Sequence, residues 1–298
     1  MSKSEQHDTT ATLVSAEVFT GFSGRSRLPA TDNTHGMPLI IAIHGGSYTS
    51  AYFDVVGYSL MDRAGMLDIP ILAPDRPGYG NSKLLPPEQT TIRGQALVLA
   101  TALDEAWQRY GSNCAGIVLI GHSIGAAIAT TIVAENCSLP LLGLAISGVG
   151  VRTPEHFRQV WDALPDTPLV DIPLTIKNEV MFGPPGSFDE LMPFASHLAN
   201  ALAPRAELID IVNGWTEGVH DTLARIRIPV HYRQGEVDKL WIVSQDEVDE
   251  FAQALSASPR VDAAMMAGTG HCIDFHWVGA ALQIQQLGFA LQCVSEAG

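Results

Sequence analysis

A short segment in the first half of the chain has the pattern of a strand, a sharp turn and a helix. The apolar residues 117–120 lead directly into residues 121–125 (GHSIG), and small residues follow at 126–130. A G-x-S-x-G pattern after a strand is typical of a turn that exposes its serine above a sheet. The flanking glycines permit that turn, because side chains there would collide where strand and helix pack. The segment predicts Ser123 as a nucleophile at a helix N-terminus, where the helix dipole favours developing negative charge.

Short apolar runs alternate with helical patterns on both sides of this segment. Runs with the character of strands occupy residues 38–44, 69–75, 117–120, 141–146, 228–234 and 261–266, and residues 13–22 suit an antiparallel opening strand. Residues 90–110 and 278–294 carry apolar side chains every three or four positions, as amphipathic helices do. This alternation predicts an α/β fold with a mostly parallel central sheet and helices on both faces.

The alternation stops between residues 151 and 226. That segment contains eight prolines, and helical patches replace strands. We expect a helical cap inserted over the carboxyl edge of the sheet, where open α/β sheets bind their ligands. The core would then comprise residues 11–150 and 227–298, and residues 1–10 would form a flexible tail.

Composition excludes several classes of protein. The formal net charge is −15 and no basic cluster occurs, so a nucleic-acid partner is not expected. No stretch approaches the roughly 20 apolar residues of a membrane span. The polar N-terminus lacks the features of a signal peptide, which predicts a cytoplasmic protein. The four cysteines lack metal-ligand spacing, so neither a metal nor a cofactor is expected, and the composition does not indicate an oligomeric state.

A serine nucleophile needs a general base and an acid that orients the base. His271 follows the last predicted strand in a Gly-Thr-Gly-His loop and is the predicted base. His276 is the rival, but it lies where a helix is predicted to begin. Asp238 follows the strand at 228–234 and is the predicted acid, with Glu236 as its nearest competitor.

Two backbone N–H groups should bind the negative oxygen that develops during attack on a carbonyl. Ile124, directly after the nucleophile, would supply one of them. The other would come from the glycine-rich loop at residues 44–47, where Gly46 is favoured and Ser47 is the alternative.

The order serine, acid, histidine along the chain resembles the α/β-hydrolase superfamily. Residues 75–82 (DRPGYGNS) and the His-Gly pair before the predicted oxyanion loop are also similar to that superfamily. The resemblance covers roughly residues 12–150 and 227–296. It implies an α/β-hydrolase fold and a serine esterase that works through an acyl-enzyme on a small-molecule ester or lactone.

A narrower resemblance concerns the loop at residues 44–54 (HGGSYTSAYFD). It is similar to serine esterases that open macrocyclic lactones, including macrolide antibiotics, which implies a role in antibiotic resistance. Aromatic side chains in the cap suit an apolar pocket for a bulky substrate. The residues predicted to contact substrate are Tyr48, Tyr52, Ser147, Trp161, Phe182 and Trp215. A C–C bond hydrolase or a thioesterase with the same triad, and a non-catalytic binding protein, are the alternatives.

Overall fold

The computed structural model describes residues 13–29, 34–135 and 138–297. The predicted tail at residues 1–10 lies outside the described residues. The strands are β1 (Leu13–Phe19), β2 (Phe22–Arg27), β3 (Pro38–Ile43), β4 (Ile71–Pro74), β5 (Gly116–His122), β6 (Leu141–Ser147), β7 (Leu169–Val170), β8 (Ala203–Pro204), β9 (Val230–Gly235) and β10 (Val261–Met266). The α-helices are α1 (Leu60–Met66), α2 (Ile92–Tyr110), α3 (Ile124–Glu135), α4 (Glu155–Asp162), α5 (Leu174–Met181), α6 (Met192–Ser196), α7 (Arg205–Val212), α8 (Gly214–Leu223), α9 (Gln245–Ala254) and α10 (Gly279–Ala297).

Eight of the strands form one sheet in the order β1-β2-β4-β3-β5-β6-β9-β10. The pairs β1–β2 and β2–β4 are antiparallel, and the neighbours from β4 to β10 are parallel. The predicted α/β class with a mostly parallel sheet is therefore confirmed. One detail differs, because the segment predicted as a single strand at residues 13–22 turns at Thr20 and Gly21 and continues into the second antiparallel strand, β2.

Both faces of the sheet are buried, which explains why the central strands are continuous apolar runs. Successive side chains of a strand point to opposite faces. Along β3, Leu39, Ile41 and Ile43 join the core that contains residues of α2, α3 and α9. Ile40 and Ala42 join the other core, which contains residues of α1 and α10.

The parallel pairing brings the carboxyl ends of several strands to one edge of the sheet. His122 at the end of β5 pairs with Ser147 at the end of β6, and Gly121 pairs with Ile43 at the end of β3. At the end of β10, Met266 pairs with the final residue of β9. The loops that carry the predicted nucleophile, acid, base and oxyanion donors all leave the sheet at this edge.

Residues 151–226 connect β6 to β9 and are called the helical insertion below. They contain α4 to α8 and the two-stranded ribbon of β7 and β8. Helix α7 packs on α4 and α8, and α8 also contacts α3 and α9. The insertion thus contributes buried side chains to the cores on both faces of the sheet. Among the residues that the structure describes, no helix is long and apolar enough to cross a membrane.

Candidate active site

Ser123 stands at the sharp turn between β5 and α3. Its φ is +55°, in the left-handed region that residues with a side chain seldom adopt. A Cβ atom at Gly121 would lie 2.7 Å from the Cα of Ala126, and one at Gly125 would lie 2.1 Å from the carbonyl oxygen of Ile43. Both flanking positions therefore require glycine. The turn is held in part by the Ser123 N–H, which donates to the carbonyl oxygen of Ser147 at 2.8 Å.

The predicted base and acid lie in line behind this serine. His271 Nε2 is 2.8 Å from Ser123 Oγ, and His271 Nδ1 is 2.7 Å from Asp238 Oδ2. The Asp238 carboxylate also accepts hydrogen bonds from Gln234 Nε2 and from the Leu240 N–H, both at 2.8 Å. These bonds hold the Asp238 carboxylate in place, and its hydrogen bond to Nδ1 orients the His271 imidazole. The arrangement allows His271 to remove the proton of the Ser123 hydroxyl.

The two rivals named from sequence occupy other places. Glu236 is exposed, and its carboxylate accepts a hydrogen bond from the Gly268 N–H at 2.7 Å. His276 is buried, and its Nε2 accepts from the N–H groups of Gly183 and Gly270 at 2.9 and 3.0 Å. Burial lowers the pKa of His276, which suits a neutral ring that accepts at Nε2. This histidine thus anchors the backbone directly before His271.

The oxyanion candidates Gly46, Ser47 and Ile124 line the same cavity as Ser123. Among the described residues, the N–H of Gly46 has no hydrogen-bond partner. The Ser47 N–H is already engaged, because it donates to Tyr79 Oη at 3.0 Å. Ile124 is the first residue of α3, where backbone N–H groups lack partners within the helix. The geometry therefore favours Gly46 over Ser47 as the companion of Ile124.

A buried arginine supports this loop from below. Arg76 Nε donates to the carbonyl oxygen of His44 at 2.9 Å, and Arg76 Nη2 donates to that of Gly45 at 3.0 Å. The guanidinium also forms two hydrogen bonds to the carboxylate of Glu207 in α7, at 2.6 and 3.1 Å. Both side chains are 0% exposed. The pair links the oxyanion loop to the helical insertion.

Tyr79 completes the link. Its hydroxyl donates to Glu207 and accepts the hydrogen bond from the Ser47 N–H. Burial and the charge of Glu207 raise the pKa of Tyr79, which keeps the phenol protonated and able to donate. No local sequence pattern indicates this network, because Arg76 and its glutamate partner are 131 positions apart.

A cavity of about 330 Å³ opens over Ser123. Gly46, Ser47 and Ile124 form its floor beside the serine. Its walls are almost wholly apolar and include Phe157, Trp161, Val180, Met181, Leu208 and Trp241. Asp171 is the one charged side chain that the described residues contribute to the lining. The cavity volume lies within the range of ligand pockets, about 300–1,000 Å³.

Comparison with known protein families gives a match over most of the chain. A model of the alpha/beta hydrolase family matches residues 40–281, which include Gly46, Ser123, Asp238 and His271. The chain belongs to the alpha/beta hydrolase family. The family match agrees with the resemblance that the order of the serine, acid and histidine implied.

Individual relatives of this hydrolase are distant. Protein phosphatase methylesterase 1 of Pongo abelii is 30% identical over 112 residues, and the human protein of that name is 29% identical over the same length. The match covers 38% of this chain and 28% of each methylesterase, so the chain spans under a third of their length.

Solved structures agree on the fold. A thermophilic esterase from Thermogutta terrifontis has a TM-score of 0.63 at 16% identity, over 89% of this chain and 98% of that chain. The Paleococcus ferrophilus monoacylglycerol lipase also has a TM-score of 0.63, at 15% identity, over 87% of this chain and 97% of that chain. At these identities the similarity establishes the fold alone.

Of the six residues predicted to contact substrate, Trp161 lines the cavity. The other five are buried side chains that do not line this cavity, so their contact with substrate stays a prediction. Tyr52 is buried beneath the site, stacks on His122 at 4.6 Å and donates to Asp274 at 2.9 Å. Tyr48 is also buried and packs against Tyr52.

The remaining three have structural partners. Ser147 uses its carbonyl to hold the Ser123 N–H, and its hydroxyl lies 3.3 Å from His122 Nδ1. Phe182 packs in an aromatic cluster with Phe188. Trp215 donates its indole N–H to the Gly150 carbonyl at 3.0 Å. All three side chains are buried.

We predict that Glu207→Gln destabilises the protein strongly. The substitution leaves the buried charge of Arg76 without a counter-ion, which costs about 3–5 kcal/mol of unfolding free energy. Urea denaturation followed by circular dichroism measures the change. Glu296→Gln is the control, because Glu296 pairs with Arg260 at the surface and such pairs contribute less than about 1 kcal/mol. Equal effects of the two substitutions would contradict a structural role for the buried pair.

Proposed function

We propose that the protein is a serine-dependent carboxylic-ester hydrolase. The observation that carries the proposal is the line of hydrogen bonds from Ser123 through His271 to Asp238, at 2.8 and 2.7 Å, beneath an apolar cavity. Such a line activates a serine hydroxyl, because the histidine takes its proton and the carboxylate stabilises the imidazolium that forms. Membership of the alpha/beta hydrolase family supports the same chemistry.

The proposed reaction has two halves. Ser123 Oγ attacks the ester carbonyl while His271 Nε2 takes the hydroxyl proton, and the N–H groups of Gly46 and Ile124 bind the oxyanion. The C–O bond then breaks, and the imidazolium returns the proton to the departing alcohol. In the second half, a water molecule attacks the acyl-enzyme, with His271 again acting as the base. The free acid leaves and the serine hydroxyl is restored.

The walls of the cavity suggest the class of substrate. Most of them come from the helical insertion, which we propose acts as a cap over the sheet edge. Side chains such as Phe157, Trp161 and Met181 favour a bulky apolar acyl or alcohol group. Asp171 places a carboxylate on the lining, so anionic esters should bind less well than neutral or cationic ones.

Ring opening of a macrocyclic lactone is the finer version of the proposal. This version is based on the similarity of residues 44–54 to esterases that open macrocyclic lactones. In that loop the side chains of Tyr48 and Tyr52 are buried beneath the site. Gly46 and Ser47 of this loop line the cavity, whereas the two tyrosines do not. Lactone hydrolysis, including that of macrolide antibiotics, stays a prediction. The same triad would also cleave thioesters or C–C bonds, so a panel of substrates is needed.

We predict that Ser123→Ala abolishes hydrolysis of p-nitrophenyl butyrate. The wild-type protein should also gain the mass of one butyryl group when a reaction is quenched and examined by intact mass spectrometry. The control is Ser295→Ala, since Ser295 is exposed near the end of α10. Equal activity of wild-type and Ser123→Ala protein would reject the nucleophile, and the absence of any esterase activity would favour a binding protein.

We predict that Asp238→Asn retains the fold but lowers kcat by about 10³–10⁴-fold. The amide can no longer hold His271 in the tautomer that accepts the serine proton. Glu236→Gln is the matched control and should leave kcat near the wild-type value. Steady-state kinetics of the two variants decide the assignment, and the reverse order of effects would move the role to Glu236.

We predict that a panel of macrocyclic lactones contains a compound that gains the mass of one water when incubated with wild-type protein. The same compound should keep its mass with Ser123→Ala. Liquid chromatography with mass spectrometry measures both. An unchanged mass across the panel would remove the lactone version while leaving the ester hydrolase in place.

A further inference from the structure

A lysine of the helical insertion reaches under the oxyanion loop. Lys177, in α5, is 3% exposed. Its Nζ donates to the carbonyl oxygen of Ser47 at 2.6 Å and to the side-chain oxygen of Asn200. The ammonium also lies 3.5 Å from the centre of the Tyr48 ring. Within the described parts of the chain, no carboxylate forms an ion pair with it.

The partner of this lysine is a strained residue of the loop. Ser47 has a φ of +56°, in the left-handed region. Its N–H is held by Tyr79, and its carbonyl is held by Lys177 together with the Ala201 N–H at 3.1 Å. The peptide groups on both sides of Ser47 are thus fixed from outside the loop. A strained conformation of this kind persists only where its surroundings enforce it.

We propose that Lys177 is a positioning residue, which holds the Ser47 carbonyl so that the neighbouring Gly46 N–H stays directed at the oxyanion. This inference rests on the proposed ester hydrolysis, in which Gly46 is an oxyanion donor. Lys177 does not line the cavity, so it acts on the oxyanion site only through the loop.

The cost of burying this side chain supports a functional role. A charged group placed in the interior without a counter-ion is unfavourable, and an apolar side chain of similar length would avoid that cost. Here two oxygen acceptors and an aromatic ring compensate the charge. Hydrogen bonds from a charged donor are roughly twice as strong as those from a neutral donor. The ammonium is therefore a better restraint on the Ser47 carbonyl than a neutral group would be.

The charge of Lys177 is also adjustable near neutral pH. Burial lowers the pKa of Lys177 to about 7, and the negative charge of Asp171 opposes this shift. Tyr48 faces it as a neutral phenol, because burial raises the tyrosine pKa well above its usual value. Burial likewise raises the pKa of Cys272 to about 12, so its thiol is neutral in this range. Above pH 7 the lysine loses its proton, and its hold on the loop weakens.

The first test compares Lys177→Met with Lys83→Met, a matched change at an exposed lysine. In Lys177→Met, kcat for p-nitrophenyl butyrate should fall about tenfold to a hundredfold, because an oxyanion donor is displaced rather than removed. KM should change less than kcat, since the oxyanion exists only in the transition state. Deuterium exchange of peptides spanning residues 44–52 should become faster in this variant alone.

The second test uses Lys177→Arg, whose guanidinium stays charged at every pH of the assay. Wild-type kcat should decline as the pH rises through about 7. Lys177→Arg should restore much of the activity that Lys177→Met loses and should shift that decline to higher pH. If Lys177→Met fails to fold, the pH profile of Lys177→Arg still tests the proposal.

Three results would overturn the proposal: unchanged exchange at residues 44–52 in Lys177→Met, a change confined to KM, or an identical pH profile in wild type and Lys177→Arg. The exchange measurement does not depend on activity. If the wild type lacks Ser123-dependent hydrolysis but exchange still rises in Lys177→Met, the proposed function fails while the restraint on the loop stands.

Discussion

A fully buried ion pair between Arg76 and Glu207 joins the sheet edge to the helical insertion. Its guanidinium also binds the carbonyl oxygens of His44 and Gly45, so one side chain orders the loop that precedes Gly46. Buried pairs of this kind contribute little net stability, but the loss of either partner is costly. The Arg76–Glu207 pair therefore determines geometry rather than adding net stability. It couples the position of α7, and with it part of the cavity wall, to the loop on the cavity floor.

The same site contains two residues in an unfavourable backbone conformation. Ser47 and Ser123 both have positive φ, and both lie at the base of the cavity. The Ser47 N–H donates to Tyr79, and the Ser47 carbonyl accepts from Lys177. The Ser123 N–H donates to the Ser147 carbonyl. Strain of this type requires a rigid surrounding. At the turn this rigidity comes from close packing. Gly121 and Gly125 permit that packing, because they lack side chains where α3 and the loop after β3 approach β5.

The sequence predicted much of the architecture, because local patterns carry it. Apolar runs marked the parallel strands, and β10 begins and ends where the pattern indicated. The antiparallel β2 was missed, since its residues FSGRSR lack an apolar run. Five of the predicted substrate contacts are buried side chains that do not line the cavity, for a different reason. An aromatic side chain suits a pocket wall and a core equally well, and only its neighbours in space decide between them. Tyr52 lies against His122 and Trp215 against Gly150, contacts between segments far apart in the sequence.

The sequence by itself determined the fold class and the spacing of serine, acid and histidine along the chain, because strand, turn and glycine signals depend on neighbouring residues. Tertiary structure alone decided that His271 and Asp238 stand in hydrogen-bond line with Ser123 while His276 and Glu236 do not. It also decided that, within the described part of the chain, the N–H of Gly46 has no partner while that of Ser47 has one. Arg76 and Lys177 were likewise placed as supports of the loop by the tertiary structure. Those outcomes depend on distances between residues up to 148 positions apart, and no local pattern encodes such distances.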